Sequence, residues 1–432
     1  MPVHDRSFHL RPVLLAALAL AFVVLCARPA SATQHIVNAG EEWQFLVDQV
    51  RPGDEIILAP GRHRPANLDG LRGEADLPIT IRGMAATANR PAIIVADNWG
   101  LVLRNPNHVV LQDLLITGAK FAGIVLSADD KAAGTQDATP RPNNVTLRRV
   151  MVRRTSGEPD RDAVIAEGLD GLVLDTCRFD GWGGAAVRLL GCRNVFLRGC
   201  RFVPIDRLEH ERAVSVEQGS VGVRLERCLF ETGLRSGVAA GLDSARALMR
   251  RGAAPSAAPA ASSEPAPDAT PSVETSTAPD AKPAVREVTI EQCMFDGLET
   301  PIELGSVSNC TIRSCTMVRP RTCFVRFVPP GPDAGATKEI LLGGNLFFWV
   351  PNDMPELVAL QGESLGDEVS WEENLWWTAE YAVLKPERLP LPGRELLPQL
   401  LDVDPKLDRR NRPEATAAQG YGVQPLPRSQ QP

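Results

Sequence analysis

A nine-residue phrase recurs along the chain and constrains the fold more than any other feature. It reads HVVLQDLLI at 108–116, NVTLRRVMV at 144–152, GLVLDTCRF at 171–179, NVFLRGCRF at 194–202 and GVRLERCLF at 222–230. It returns as EVTIEQCMF at 287–295, NCTIRSCTM at 309–317, EILLGGNLF at 339–347 and EVSWEENLW at 368–376. A single repeat of this size cannot bury its own apolar face, so the copies must stack on one another.

Positions 2 and 4 of the phrase are apolar in nearly every copy, the two-residue period of a strand with one buried face. Position 7 runs Leu114, Val150, Cys177, Cys200, Cys228, Cys293, Cys315, Asn345 and Asn374. Position 9 runs Ile116, Val152, Phe179, Phe202, Phe230, Phe295, Met317, Phe347 and Trp376. If each repeat is one turn of a solenoid, like positions lie about 4.8 Å apart. A cysteine ladder, an asparagine step and a column of stacked aromatics should then fill the interior. A second apolar strand follows most copies, as in GIVLS at 123–127, AVRLL at 186–190 and AVSVE at 213–217. Three short strands per turn predict an all-β right-handed parallel β-helix of roughly nine to eleven coils. Leucine-rich repeats are excluded by the missing L-x-x-L-x-L frame and helical half.

Residues 1–32 have the form of a signal peptide, with Arg6 and Arg11 ahead of an apolar run from Val13 to Ala27 and a small-x-small site at Ala30-Ser31-Ala32. An uncleaved N-terminal anchor is the other reading of that run. The expectation is an exported protein, periplasmic or extracellular, with no transmembrane segment in the mature chain. Lys plus Arg number 46 against 53 Asp plus Glu, which argues against nucleic acid as the main partner. Five cysteines share position 7, so packing rather than disulfide bonding is expected: stacked β-carbons sit wider than the roughly 3.8 Å that a disulfide prefers. Whether Cys192, Cys310 and Cys323 pair is open. No C-x-x-C or His-Cys cluster suggests a metal site.

Residues 33–107 form the N-terminal cap and first coils, with helical spacing over Trp43–Val50 (WQFLVDQV) predicting a capping helix. Residues 108–376 hold the repeats, interrupted at 244–284 by a Pro/Ala/Ser/Thr-rich insertion expected to be disordered. Residues 377–432, rich in Pro and Leu, are expected to form an irregular C-terminal cap.

The order of a helix, PGDEIILAPGRH, LPITIRG and HVVLQDLLI over 34–126 resembles the N-terminal part of the β-helix polysaccharide lyases that include chondroitinase B and the alginate lyases. LDVDPKL at 401–407 is similar to the closing segment of many exported β-helix proteins. The resemblance implies the fold and an extracellular or envelope polysaccharide as partner. It also implies a catalytic Lys and Arg on neighbouring central coils, with acidic residues holding Ca²⁺ in many members. That pair does not carry over. In AVRLLG at 186–191, Leu189 stands where the family strand L-T-L-R-H-G has Arg, and Arg188 is one place early. A one-residue offset points a side chain to the opposite face. No lysine occurs between Lys131 and Lys282.

The alternation places Arg188, Glu217, Glu167 and Arg326 on the outer face of the second strand, overhung by the loops at 158–163 and 207–213. Arg188, His210 and Glu217 are the candidate catalytic group: a base for the proton α to a uronate and a cation for the developing enolate. Asp162, Glu167, Trp182 and Arg326 are candidate substrate-binding residues, with Trp182 in FDGWGG as either a sugar platform or a loop anchor. No cofactor is required, although the carboxylates suit Ca²⁺. The same charges also serve simply to keep a stacked sheet solvated. The preferred reading is a glycan-associated or structural envelope protein without catalysis. The alternatives are a lyase or hydrolase on an acidic polysaccharide, and an adhesin or scaffold acting through the insertion.

Overall fold

A computed structural model describes residues 32–84, 91–128, 143–155, 161–205, 211–217, 219–242, 284–330, 334–350, 356–360, 368–378, 405–408 and 411–423. The signal-like segment apart from Ala32, the insertion apart from Ala284, and His210 all lie outside these residues. The described chain winds through three parallel sheets of twelve, eleven and ten strands, here called A, B and C. Each complete coil contributes one strand to each sheet, and each strand pairs in parallel with its counterpart in the neighbouring coil. Parallel neighbours joined through successive crossovers of one hand make a right-handed parallel β-helix.

The nine-residue phrase is a strand of sheet A, a sharp corner and a strand of sheet B. In HVVLQDLLI these are Val109–Gln112 and Leu115–Thr117, and Ala122–Ser127 then enters sheet C. The corner falls at position 6, where Asp113, Arg149, Thr176, Arg227, Gln292, Ser314 and Glu373 all adopt positive φ between 49° and 57°. Left-handed backbone at a non-glycine residue costs roughly 1–2 kcal/mol, so the packing on either side of the corner must hold it.

The position-7 ladder supplies that support. The thiols of Cys177, Cys200 and Cys315 donate to the carbonyls of Leu147, Leu174 and Ile290 in the preceding coil, at 3.3, 3.4 and 3.5 Å. Asn345 and Asn374 make the same bond better, to Ile312 and Leu342 at 2.9 and 2.8 Å. The Asn345 amide also donates to Asn374 Oδ1 at 2.9 Å, and its Oδ1 accepts the Cys315 N–H at 2.9 Å. All eight described cysteines are free and buried, Cys192, Cys310 and Cys323 included. Position 9 forms the aromatic column: Phe179, Phe202, Phe230 and Phe295 stack at centroid separations of 5.2, 4.8 and 4.5 Å. Met317 interrupts the column before Phe347 and Trp376 resume it at 4.1 Å.

The expected N-terminal α-helix is replaced by a single 3₁₀ segment, Gln44–Asp48. Pro52 biases Arg51 away from helical backbone and leaves no length for a longer helix. The short segment still closes the open end. Trp43 is fully buried and donates to the Arg64 carbonyl at 3.0 Å, and Gln44 Oε1 accepts the edge N–H of Asn67 at 3.1 Å. At the other end, the described part of the C-terminal segment lies along the flank of sheet B. Ala418, Leu407 and Tyr421 pack on Leu346 and Leu375, and Asn411 donates to Asp296 at 3.0 Å. Residues 379–404 lie outside the described chain.

Candidate functional site

The outer face of sheet C carries a continuous row in register: Ile165, Arg188, Ser215, Ala239, Glu303, Arg326 and Ala359. The orientation matches the alternation, but the exposure does not. An open face with free charges was expected, yet Ile165, Ser215, Ala239, Glu303 and Ala359 are buried, and Arg188 is only 8% exposed.

Arg188 stands at the centre of an ion cluster. Its Nε donates to Asp162 Oδ2 at 2.7 Å and its Nη2 to Asp162 Oδ1 at 3.1 Å, the two-pronged geometry that makes Arg–carboxylate pairs strong. Its Nη1 donates to Glu217 Oε1 on the other side. Asp162 Oδ1 also accepts the Ala185 N–H at 2.7 Å, and Glu217 Oε1 accepts the Ser215 hydroxyl at 3.1 Å. Burial alone would make the guanidinium easier to deprotonate. The hydrogen bonds and charge of Asp162, with those of Glu217, outweigh it and hold the pKa of Arg188 above the ordinary arginine range.

Three of the expected residues, Asp162, Arg188 and Glu217, are therefore brought together. Glu167 is exposed at the end of its strand, aligned with Ser127 and Leu190. Arg326 lies four strands along the row, roughly 19 Å from Arg188 at the strand spacing. It is half-buried and donates to Glu303 Oε1 at 3.0 Å and to Thr322 Oγ1 at 3.2 Å. Trp182 is not a sugar platform. It is 0% exposed, lies edge-on to Phe202 at 6.4 Å and donates to the Arg212 carbonyl at 2.7 Å, so it anchors its loop in the core.

Trp99, the first residue of a sheet C strand, is 41% exposed. Its indole stacks on Phe121 at 5.3 Å and 27°, and the Arg161 guanidinium lies over the Phe121 ring at 4.4 Å. The period-two pattern conceals this residue. Trp99 shares the parity of the buried Leu101 and Leu103, yet as the first residue of its strand it is exposed.

Other chemistry is limited by the same burial. The Cys228 and Cys293 thiols are pushed up chiefly by burial, Cys177 first by its hydrogen bond to Cys200 and then by burial, so none is a ready thiolate. Burial also pushes Cys192 up to about 11 and Cys310 up to about 12. Among the described residues no group of His, Cys, Asp or Glu is arranged to hold a metal ion. The Asp162 and Glu217 carboxylates, which suited Ca²⁺ in sequence, are engaged by Arg188 instead. No described helix is long and apolar enough to cross a membrane.

No protein-family model matches the chain, and no curated protein sequence matches it. Among solved structures it is similar to an alginate lyase from Paenibacillus sp. strain FPU-7, at 13% identity over 79% of this chain and 98% of that one, with a TM-score of 0.46. It is similar to a lacto-N-biosidase of family GH136 from Eubacterium ramulus, at 9% identity over 85% of this chain and 71% of that one, with a TM-score of 0.46. It is also similar to AlyGC, an alginate lyase of the PL6 family, at 13% identity over 90% of this chain and 56% of that one, with a TM-score of 0.43. At these identities the likeness concerns the coiled strands and assigns no residue a role.

Proposed function

We propose that the protein is exported and associates with polysaccharide outside the cytoplasm or in the cell envelope, as a binding or structural element that leaves the polymer intact. The state of Arg188 carries this reading. A lyase needs a cation turned toward the substrate to stabilise an enolate, and a base beside it. Arg188 is 8% exposed and is held by Asp162 on one side and Glu217 on the other, so its charge is spent inside the protein. The lysine-free stretch from 132 to 281 supports the same view, because it removes the second cation that the resembled lyases use. The apolar run ahead of Ala30-Ser31-Ala32 supports export. A stack of like coils suits a long, repetitive ligand lying across successive strands.

The test is to incubate the protein with alginate, chondroitin, pectate and heparin, with and without Ca²⁺, while following the ultraviolet absorbance of unsaturated uronate. Retention on each immobilised polymer is measured in parallel. The expected result is no absorbance rise, together with retention on at least one acidic polymer. An absorbance rise that Arg188→Lys abolishes in folded protein would overturn the non-catalytic reading and make sheet C an active site.

A further inference from the structure

We infer that a hollow at the corner between sheets B and C, lined by Thr232, Gly297, Arg319, Pro320 and Arg321, is a subsite for one hexuronate unit of an acidic polysaccharide. The inference rests on the glycan reading above and adds to it a place and a substrate class. The hollow measures about 640 Å³, within the range of ligand clefts, and shares no residue with the Arg188 cluster.

Three successive coils build it. Phe230 pairs with Phe295, and Asp296 with Val318, so Thr232, Gly297 and Arg319 occupy one step of the winding. Gly297 N donates to the Val318 carbonyl and Arg319 N to the Phe348 carbonyl, both at 2.9 Å. Gly297 has left-handed backbone, φ 67°, and a Cβ placed on it would come within 2.7 Å of Thr232 Oγ1. The bare backbone at this step leaves room between Thr232 and the Arg319–Arg321 turn. That turn is held at both ends. Arg319 Nη2 donates to Asp296 Oδ1 at 2.6 Å, and Asp296 Oδ2 accepts from Asn411 of the C-terminal segment at 3.0 Å. Arg321 N donates to the Leu298 carbonyl at 2.9 Å. The backbone of the hollow is therefore in place before any ligand arrives.

The chemistry of the lining selects the ligand. Among the described residues that line it are two arginines and no carboxylate. Arg319 is matched by Asp296, whose two oxygens are both engaged. Arg321 is exposed, and its side chain has no ion pair or hydrogen bond among the described residues. Glu299, one step further along, is exposed and makes no ion pair with it. A guanidinium in that state suits a carboxylate, which it can hold with two bonds. Thr232 gives its hydroxyl proton to the Asp296 carbonyl at 3.0 Å, so its oxygen is left as an acceptor for a sugar hydroxyl. Pro320 adds an apolar surface for the C–H face of a pyranose. A hexuronate satisfies all three groups. A neutral sugar leaves Arg321 unmatched, and inorganic phosphate has no C–H face for Pro320.

The experiment measures the affinity of the full chain for alginate, polygalacturonate and neutral dextran, in the parent, Arg321→Gln, Arg321→Lys and, on sheet A, Arg198→Gln. Thermal melts accompany each, and the Arg321 variants should melt with the parent because that side chain makes no bond in the fold. The parent should bind an acidic polymer and not dextran. Arg321→Gln should weaken that binding about tenfold, the size of one lost charge-assisted bond, and flatten its salt dependence. Arg321→Lys should recover part of it, since it keeps the charge and loses the fork. Unchanged binding by Arg321→Gln refutes the subsite while the glycan reading stands. If Arg198→Gln weakens binding as much as Arg321→Gln, the attraction is diffuse and the subsite is refuted. In competition, galacturonate should displace the polymer at lower concentration than inorganic phosphate does. The reverse order assigns the hollow to a free oxyanion and overturns the hexuronate assignment. If the parent binds none of the polymers, both readings fall.

Discussion

The outer faces of sheets A and C follow the same alternation, yet they sit in different environments: the row on sheet A is charged or amide throughout, whereas the row on sheet C also holds Ile165, Ser215, Ala239 and Ala359. On sheet A the row Arg82, Gln112, Arg148, Asp175, Arg198, Glu226, Glu291 and Arg313 runs in register from coil to coil, with the arginines at 148, 198 and 313 exposed. Its ion pairs, such as Arg198–Asp175 at 3.2 Å and Arg313–Glu291 at 3.0 Å, have exposed arginines over part-buried carboxylates and lie at the solvent boundary. Pairs of that kind contribute about 0–1 kcal/mol each and serve mainly to keep a long sheet soluble. On sheet C the cluster of Asp162, Arg188 and Glu217 is buried, and every member depends on the others to offset the cost of leaving water. An outward-facing arginine is therefore a surface charge on sheet A and the centre of a buried cluster on sheet C, and what separates the two is access to water at each position.

The largest effect is expected at the centre of the buried cluster. Arg188→Ala strands Asp162 and Glu217 without a counter-charge and should cost about 3–5 kcal/mol in denaturant unfolding. A cost below about 1 kcal/mol would show that sheet C is as solvated as sheet A and would erase the comparison.

A smaller effect is expected when the charge alone is removed. Glu217→Gln keeps the shape and the Ser215 contact but loses a charge-assisted bond, and should cost about 1–3 kcal/mol. The loss should change little with added salt, because buried pairs are screened weakly.

The smallest effects belong to sheet A. Arg198→Ala should cost at most about 1 kcal/mol, and the cost should shrink in high salt. Acid sharpens the contrast. Burial alone would raise the Asp175 carboxyl, but hydrogen bonds from Arg198 and Thr176 and the charges of Arg198 and Arg148 hold it below its ordinary value. A carboxyl depressed in the folded state stabilises the fold above the unfolded value of about 3.9 and loses that contribution as pH falls through the lower folded value. Asp175→Asn should therefore flatten the acid limb of the stability curve, which a series of melts from neutral to acidic pH would show.

Much of the interior was legible in the sequence. Cysteine, asparagine and aromatic residues at positions 7 and 9 stack because parallel in-register coils set like positions a strand spacing apart. The corners were legible only in part. Asn144, Asn194 and Asn309 open their phrases in left-handed backbone, a placement asparagine tolerates, and this cue lies in plain view. Arg149 and Thr176 adopt the same backbone without any such preference, and at Thr176 the following Cys177 thiol, bonded to the preceding coil, holds the corner. The site was less legible. Asp162 and Trp99 lie at one step of the coil, both in register with Ala122, yet one is fully buried and the other is 41% exposed. Trp182 shows the converse, since a tryptophan between glycines in a loop turned into the core.

The sequence by itself determined the coil, its three strands, the contents of its interior ladder and the side of sheet C on which Arg188 lies. Each of these follows from a short period repeated in one chain. Only the tertiary structure decided which outward residues meet water, because shelter at a position depends on segments brought over it from elsewhere. Asp162, Arg188 and Glu217 are separated by 26 and 29 residues, and their contact exists only once the coils have stacked.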